Sequence, residues 1–372
     1  MTSIIYVGMD VHTTNYTLCC YSMEDDRFFA EVQVEPDAKN ILKYLARIEK
    51  QQSRDCRIVC GYEAGCLGYS LYHQLHAHGI DCVILAPTTM MTKPGKRIKT
   101  DRRDARLISK CLAFHTYSPV YIPTEVDDAV KEYIRMRDDA NSALARVKQQ
   151  IIAFCIRHGK IHDGKSYWTN KHLEWLSSLD LGNKILSEVL QEYLIRYYQL
   201  REQVDMYDMR INEVAQAEPY RQKVEKLGCF RGIAAHTALS FCVEVGDFRR
   251  FATAQQFASY LGLVPGECSS GDKQQYTGIT KAGNSHLRKL LVETAQVFGR
   301  SATKSGKSVA LKERQAKCDS LTVAYADKAN ARLKKKYFKI AMRSKVNIAK
   351  TAVAREMACF IWGMMTDNIS CA

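Results

Sequence analysis

Four acidic residues carry the first chemical signal in this chain. Asp10 ends an apolar run that begins at Ile4, and Glu63 ends a second, from Arg57 to Tyr62. Asp101 and Asp104 lie three apart at the start of a helical pattern, so they share one helix face. Carboxylates placed at strand ends and at a helix start converge at one edge of a sheet. Four of them would repel one another there unless a divalent cation joined them. Mg²⁺ takes carboxylate oxygens and water, and two such ions can clamp the attacking and leaving oxygens of a phosphoryl displacement. Taken singly, each carboxylate is an ordinary surface charge or helix cap, and the combination carries the argument. Lys93, Lys96, Arg97, Lys99, Arg102, Arg103 and Arg106 surround the last pair. They suit a DNA phosphate held beside the cluster, with a solvated face as the plain alternative.

The elements that must position these residues can be read from periodicity. Ile4 to Met9, Tyr16 to Tyr21 and Phe28 to Val34 read as three strands, with Glu24-Asp25-Asp26 turning between the second and third. Ala38 to Ile48 has helical spacing, Arg57 to Tyr62 is a short strand, Leu67 to His78 a helix and Cys82 to Ala86 a fifth strand. A helix follows from about Thr100 to Ala113. Three strands, then helix, strand, helix, strand, helix is the order of an RNase H-like α/β layer. This predicts a first domain over 1–122.

From Pro123 the pattern becomes helical. Thr124 can cap a helix whose first turns hold Glu125, Asp127 and Asp128, and that helix runs to about His158. Later, Tyr193, Tyr197, Leu200, Val204, Tyr207, Ile211 and Val214 alternate spacings of four and three, the mark of a heptad seam. It fits a coiled-coil or oligomer contact, or a helix packed on its own domain. A helical coiled-coil region over 123–225 and a mainly α third domain over 226–372 are expected. Within the latter, Gly228 to Glu244 reads helix, Gly turn, helix, and Asp247 to Leu263 adds a helix. A Gly/Ser-rich loop spans Gly266 to Gly278 before a run of basic helices.

Charge is unevenly placed. Residues 281–350 hold 18 Lys and Arg against 4 Asp and Glu, which accounts for the whole net charge of +14. Such a basic segment opposes compaction unless a polyanion offsets it, so a nucleic-acid partner is expected, with Lys334, Lys335, Lys336, Lys339 and Arg343 as phosphate contacts. The 14 cysteines form no C-x-x-C pair and the start is not a signal peptide, which points to a reducing cytoplasm near the nucleoid. The apolar stretch from Val346 to Met365 is interrupted by Lys350, Arg355 and Glu356, so it reads as a core helix and no membrane is implied.

The strings Tyr6-Val-Gly-Met-Asp10, Tyr62-Glu63-Ala-Gly and Lys99-Thr-Asp101-Arg-Arg-Asp104-Ala-Arg resemble the DEDD catalytic set of the insertion-sequence 110 family of transposases, which are similar to the Piv-type DNA invertases. Tyr260-Leu-Gly-Leu-Val-Pro265, Ser269-Ser270-Gly271 and Thr280-Lys-Ala-Gly-Asn284 resemble that family's second, transposase domain. The resemblance covers nearly the whole chain in the right order. It implies a RuvC-like first domain, with Asp10, Glu63, Asp101 and Asp104 as the Mg²⁺ ligands. It also implies Ser270 as the nucleophile, with Ser269 adjacent to it. It further implies homo-oligomers, dimer or tetramer, in which the two domains meet across subunits, and a structured bridge RNA that selects donor and target DNA.

A serine hydroxyl is a weak nucleophile unless a base or metal activates it. On the residues alone, Ser269-Ser270-Gly271 reads as an ordinary polar turn. Lys273, Lys281 and Arg288 are candidate phosphate contacts near it. Phe230 to Thr237 resembles a helix–hairpin–helix, which grips phosphate backbone through its amides; a plain packing turn serves the pattern as well. Three other classes compete: a RuvC-like nuclease using water, an actin-like phosphotransferase and a non-catalytic nucleic-acid binder. The second would need Gly-rich phosphate loops after later strands, which the sequence lacks. The intact acidic set argues against the third.

Overall fold

The structure, a computed structural model, describes residues 3–51, 56–65, 67–90, 100–267, 275–300 and 306–369. The chain divides into two compact units, Met1–Ile122 and Pro123–Ala372. The first is a mixed α/β sheet unit and the second is largely helical.

In the first unit, β1 (Ser3–Val11), β2 (Tyr16–Ser22) and β3 (Arg27–Val34) are followed by α1 (Ala38–Gln51), β4 (Cys56–Glu63), α2 (Ser70–Ala77), β5 (Asp81–Leu85) and α3 (Asp101–Ala113). The element order is that read from the sequence. The strands lie in the order β3-β2-β1-β4-β5. β1 pairs antiparallel with β2 and parallel with β4, and β4 is parallel to β5. One face carries α1 and α2 over a core that includes Val7, Met9, Ile41, Leu45, Ile48 and Tyr62. The other carries α3 over Tyr6, Tyr21 and Leu85. α2 starts at Ser70 rather than near Leu67, because Gly68 takes a left-handed φ of +58° and interrupts the helix.

The second unit holds α4 (Glu125–Arg157), α5 (Asn170–Ser177), α6 (Lys184–Gln216), α7 (Arg221–Gly228), α8 (Ala235–Val245), α9 (Ala254–Tyr260), β6 (Pro265–Glu267), β7 (Tyr276–Ile279), α10 (Ser285–Arg300), α11 (Val309–Gln315), α12 (Ser320–Ala341) and α13 (Val346–Met365). Thr124 caps α4 by accepting from the Asp127 amide, as its side chain predicts. α4 and α6 form an antiparallel pair. Leu144, Val147, Ile151 and Phe154 of α4 pack with Leu190, Leu194, Tyr197 and Val204 of α6, while Ile134 meets Ile211 and Ala215 at the other end. The heptad seam is therefore covered by a helix of the same chain, and the partner that the spacing calls for is α4.

The helix expected from Asp247 to Leu263 is shorter. The Asp247 side chain accepts from the Arg249 amide and Thr253 from the Gln256 amide, so two local caps divide the segment into a 3₁₀ turn and α9. The segment Gly266 to Gly278, expected as a loop, has strands at both ends: β6 and β7 pair antiparallel as a hairpin that the sequence reading missed. Among the described residues, no helix is long and apolar enough to cross a membrane. The eleven described cysteines are free thiols.

Candidate active site

The geometry of the acidic site follows from two glycines. Gly8 on β1 and Gly61 on β4 are register partners in the parallel pair. A β-carbon on Gly8 would fall 2.0 Å from the Ala105 carbonyl oxygen, and one on Gly61 would fall 2.8 Å from the Leu112 side chain. The backbone of α3 thus lies directly on β1, at a spacing no larger residue permits. Strand side chains alternate between faces, so the residues two beyond these glycines, Asp10 and Glu63, share the α3 face. They sit one step past the last register pair, Met9 with Tyr62. The first turn of α3 supplies Asp101 and Asp104.

Three donor atoms are drawn together there. One atom each from Asp10, His12 and Asp101 all lie within 4.8 Å of one another. His12 Nε2 is 3.2 Å from Asp10 Oδ2. Burial pushes the Asp10 carboxyl above the usual carboxylate range; His12 opposes the shift, and the negative charges of Asp104 and Asp101 add to it. Three carboxylates crowd a half-buried corner with one imidazole to balance them, a donor set that fits a hard divalent cation. Glu63, exposed at the end of β4, flanks this corner without belonging to the close trio. His12 was missed from the sequence. Its position two residues beyond Asp10, just past the end of β1, is the signal that could have found it.

α3 is also fixed from the side. A bulge in β3 between the partners of Leu18 and Cys20, with Ala30 at φ +52°, accompanies Glu31, which pairs with Arg106 at 2.6 Å and Arg102 at 3.3 Å. Arg102 thus has a carboxylate partner within its own unit, and Arg103 is exposed. Lys96, Arg97 and Lys99 lie outside the described residues, as do Ser269, Ser270, Gly271 and Lys273.

The basic residues of the second unit divide by their partners. Arg288 donates to the carbonyls of Leu261 and Ala282, which ties the hairpin root to α10. Lys336 pairs with Glu356, as does Arg332. Lys334 and Lys335 instead line a cavity of about 550 Å³ with Arg231, Asn330 and Phe338. Lys281 is exposed in the turn between β7 and α10. The helix–turn–helix expected over Gly228 to Glu244 is displaced: α7 ends at Gly228, a turn that holds Arg231 follows, and α8 begins at Ala235.

Comparison with known proteins decides the family. Residues 7–156 match a transposase domain of the IS110 DEDD type, and residues 225–314 match the domain described as transposase IS116/IS110/IS902 family. The transposase for insertion sequence element IS1533 of Leptospira borgpetersenii is 32% identical over 340 residues, covering 90% of this chain and 95% of that protein. The chain belongs to the IS116/IS110/IS902 family of transposases. A putative transposase, y4qE, of Sinorhizobium fredii (strain NBRC 101917 / NGR234) is 36% identical over 307 residues, 82% of this transposase and 75% of that one. The transposase for IS1111A of Coxiella burnetii (strain RSA 493 / Nine Mile phase I) is 26% identical over 268 residues, 68% and 71% of the two chains. This transposase is accordingly an enzyme of DNA strand cleavage and joining, acting on DNA.

Proposed function

We propose that this transposase moves an insertion sequence by a serine–DNA covalent intermediate formed beside a Mg²⁺ site. The observation that supports it is the meeting of Asp10, His12 and Asp101 within 4.8 Å, with Asp104 coupled to them through its charge. Asp10, Asp101 and Asp104 would hold the cation, with Glu63 completing the set from the end of β4. When bound, Mg²⁺ polarises the scissile phosphate and eases loss of the serine proton. The Ser270 oxygen attacks phosphorus, the bond from phosphorus to the 3′ oxygen breaks, and the serine proton passes in net to that oxygen. A 5′-phosphoserine link and a free 3′-hydroxyl remain, which conserves the bond for rejoining.

Lys334 and Lys335 beside Arg231 hold nucleic-acid phosphates, with Lys281, Lys273, Arg103, Lys96, Arg97 and Lys99 as further phosphate contacts. The turn between α7 and α8 serves as a backbone-gripping helix–hairpin–helix. A structured bridge RNA guides the choice of donor and target. The enzyme works as a homo-oligomer in which the acidic site of one subunit meets the serine of another. The outward face of α6, with Ile195, Met206 and Met209 exposed, supplies apolar surface for that assembly.

The test is to express the full chain in cells beside a plasmid copy of its own element with native ends, to purify it with its bound nucleic acid, and to sequence that material. Wild type should rearrange the plasmid and co-purify with a discrete structured RNA, and Asp10→Asn should bind but not rearrange. Rearrangement by Asp10→Asn would refute the metal site, and absence of a specific RNA would refute the guide.

A further inference from the structure

The hairpin β6–β7 is fixed at its root by a set of half-buried polar groups. Its two ends are joined by backbone bonds from Thr280 to the Val264 carbonyl, from Lys281 to that of Gly262 and from Asn284 to that of Tyr260. The Asn284 side chain caps α10 by accepting from the Leu287 amide at 2.9 Å. Its amide group also donates to Glu244 Oε2 at 2.9 Å and to the Tyr260 hydroxyl at 3.2 Å. His286, in the first turn of α10, stands between two carboxylates. Its Nε2 is 2.8 Å from Asp138 Oδ2 of α4, and its Nδ1 is 3.5 Å from Glu244 Oε1 of α8.

The groups around this imidazole are as follows. From α4, Asp138 faces it directly, Arg135 bonds Glu244 at 3.0 Å, and Arg137 lies 3.2 Å from Asp138 while held by Asp208 of α6 at 2.7 and 2.9 Å. From α8, His236 Nε2 lies 3.0 Å from Asp138 Oδ1, beside Glu244 itself. From α9, Tyr260 donates to the Glu244 carbonyl at 3.1 Å. On α10, Lys289 lines the same small cavity as Asp138 and His236. Among the described residues, the ion-pair partners of His286 are Asp138 and Glu244.

We propose that Asp138, His286 and Glu244 form a proton-dependent clamp that fixes the hairpin root on α4 and α8, with His286 as a positioning residue for strand cleavage. The consequence for cleavage rests on the reading that this hairpin carries the nucleophilic serine. An imidazole can face two carboxylates with an N–H on each side only when doubly protonated. Burial alone would depress it, but the bond to Asp138 and the charge of Glu244 outweigh burial and hold it up at about 9. Burial would likewise raise Asp138 and Glu244, but the bonds to His236 and His286 hold Asp138 well below the carboxylate range. His286, Arg135 and Asn284 bring Glu244 down to about 2. The raised histidine fixes the sign. The clamp is complete below the ordinary imidazole value of 6.5 and is released as pH rises through about 9. Neutral His286 loses the positive charge that holds it between Asp138 and Glu244, and with one N–H it can face only one of the two carboxylates as a donor.

Hydrogen exchange on the full-length protein tests this, followed between pH 6.5 and 10 and corrected for the intrinsic rate. The peptide spanning Tyr276 to Ser285 should lose protection roughly tenfold or more in a step near pH 9, while the α12 and α13 peptides show none. His286→Gln should exchange fast at this root at every pH, without a step, and His236→Gln should keep the step. A wild-type root with no step overturns the clamp, and so does a step that survives in His286→Gln. The wild-type curve alone decides if the variants do not fold. Covalent capture of nicked DNA, run on the same samples, separates the two ideas. A step without any adduct leaves the clamp and sinks the serine reading, and an adduct without a step does the reverse.

Discussion

Gly8 of β1 lies against Ala105 of α3 so closely that a β-carbon would sit 2.0 Å from the Ala105 carbonyl oxygen. This contact sets the height of α3 over the sheet, and therefore the distance from Asp101 to Asp10. Gly8→Ala should force α3 outward. Overpacking of this kind costs about 1–3 kcal/mol, and backbone in the way leaves little room for relief. We expect a lower melting temperature and strand cleavage reduced by at least tenfold. Wild-type cleavage with an unchanged melt would mean that α3 does not set the site.

The crowded carboxylates predict a stability response to cations. Because burial and like charge raise Asp10, its ionised form is disfavoured in the folded protein, so this group destabilises progressively as pH rises through its shifted range. Without divalent cations, Asp10→Asn should therefore melt no lower than wild type at neutral pH. Adding Mg²⁺ should stabilise wild type, by about 2.7 kcal/mol at a hundredfold excess over Kd, and should do much less for the variant. Equal responses in the two proteins would remove Asp10 from the metal site.

Lys334 and Lys335 should behave differently from Lys336, though all three are adjacent. Each phosphate neutralised contributes about −0.9 to the log–log dependence of duplex affinity on salt. Lys334→Ala with Lys335→Ala should flatten that slope by up to about 1.8. Lys336→Ala, which removes a partner of Glu356, should leave the slope nearly as it was. A flattening by Lys336→Ala alone, with no change in the double variant, would reverse this assignment.

The two faces of α6 make separate predictions. Val204 is 6% exposed against α4, so Val204→Asp buries a charge and should cost on the order of 3–5 kcal/mol, seen as loss of the folded unit. Ile195 and Met209 are 48% and 60% exposed. Changing both to Asp should preserve the fold and, in light scattering, lower the assembled mass. An unchanged mass would assign that face to solvent.

Much of this was legible in the sequence because the signals were local. Asp10 and Glu63 close apolar runs, and Asp101 and Asp104 open an amphipathic one, so strand and helix ends alone pointed to a candidate cluster at one edge of the sheet. The seam of α6 was legible as a seam, but spacing does not say which chain supplies the opposing helix. His12 was missed because its role depends on the strand continuing one residue past Asp10. The Asp138, His236, Glu244 and His286 network was missed because its members are up to 148 residues apart and meet only through helix packing. Lys336 looked equivalent to its neighbours because Glu356, which pairs with it, lies on the next helix.

The central claim is that a serine of the β6–β7 hairpin, and not water, attacks DNA. The most direct measurement uses a DNA substrate from the element's own ends, nicked next to the cleavage position so that rejoining is impossible. Wild-type protein with Mg²⁺ should become trapped on this DNA through a bond that survives boiling in detergent. Ser269→Ala should trap equally, and Ser270→Ala should bind the DNA and trap nothing. Cleavage by Ser270→Ala at the wild-type rate, with no adduct in either protein, would contradict the account and make the enzyme a metal-dependent nuclease that hydrolyses DNA with water.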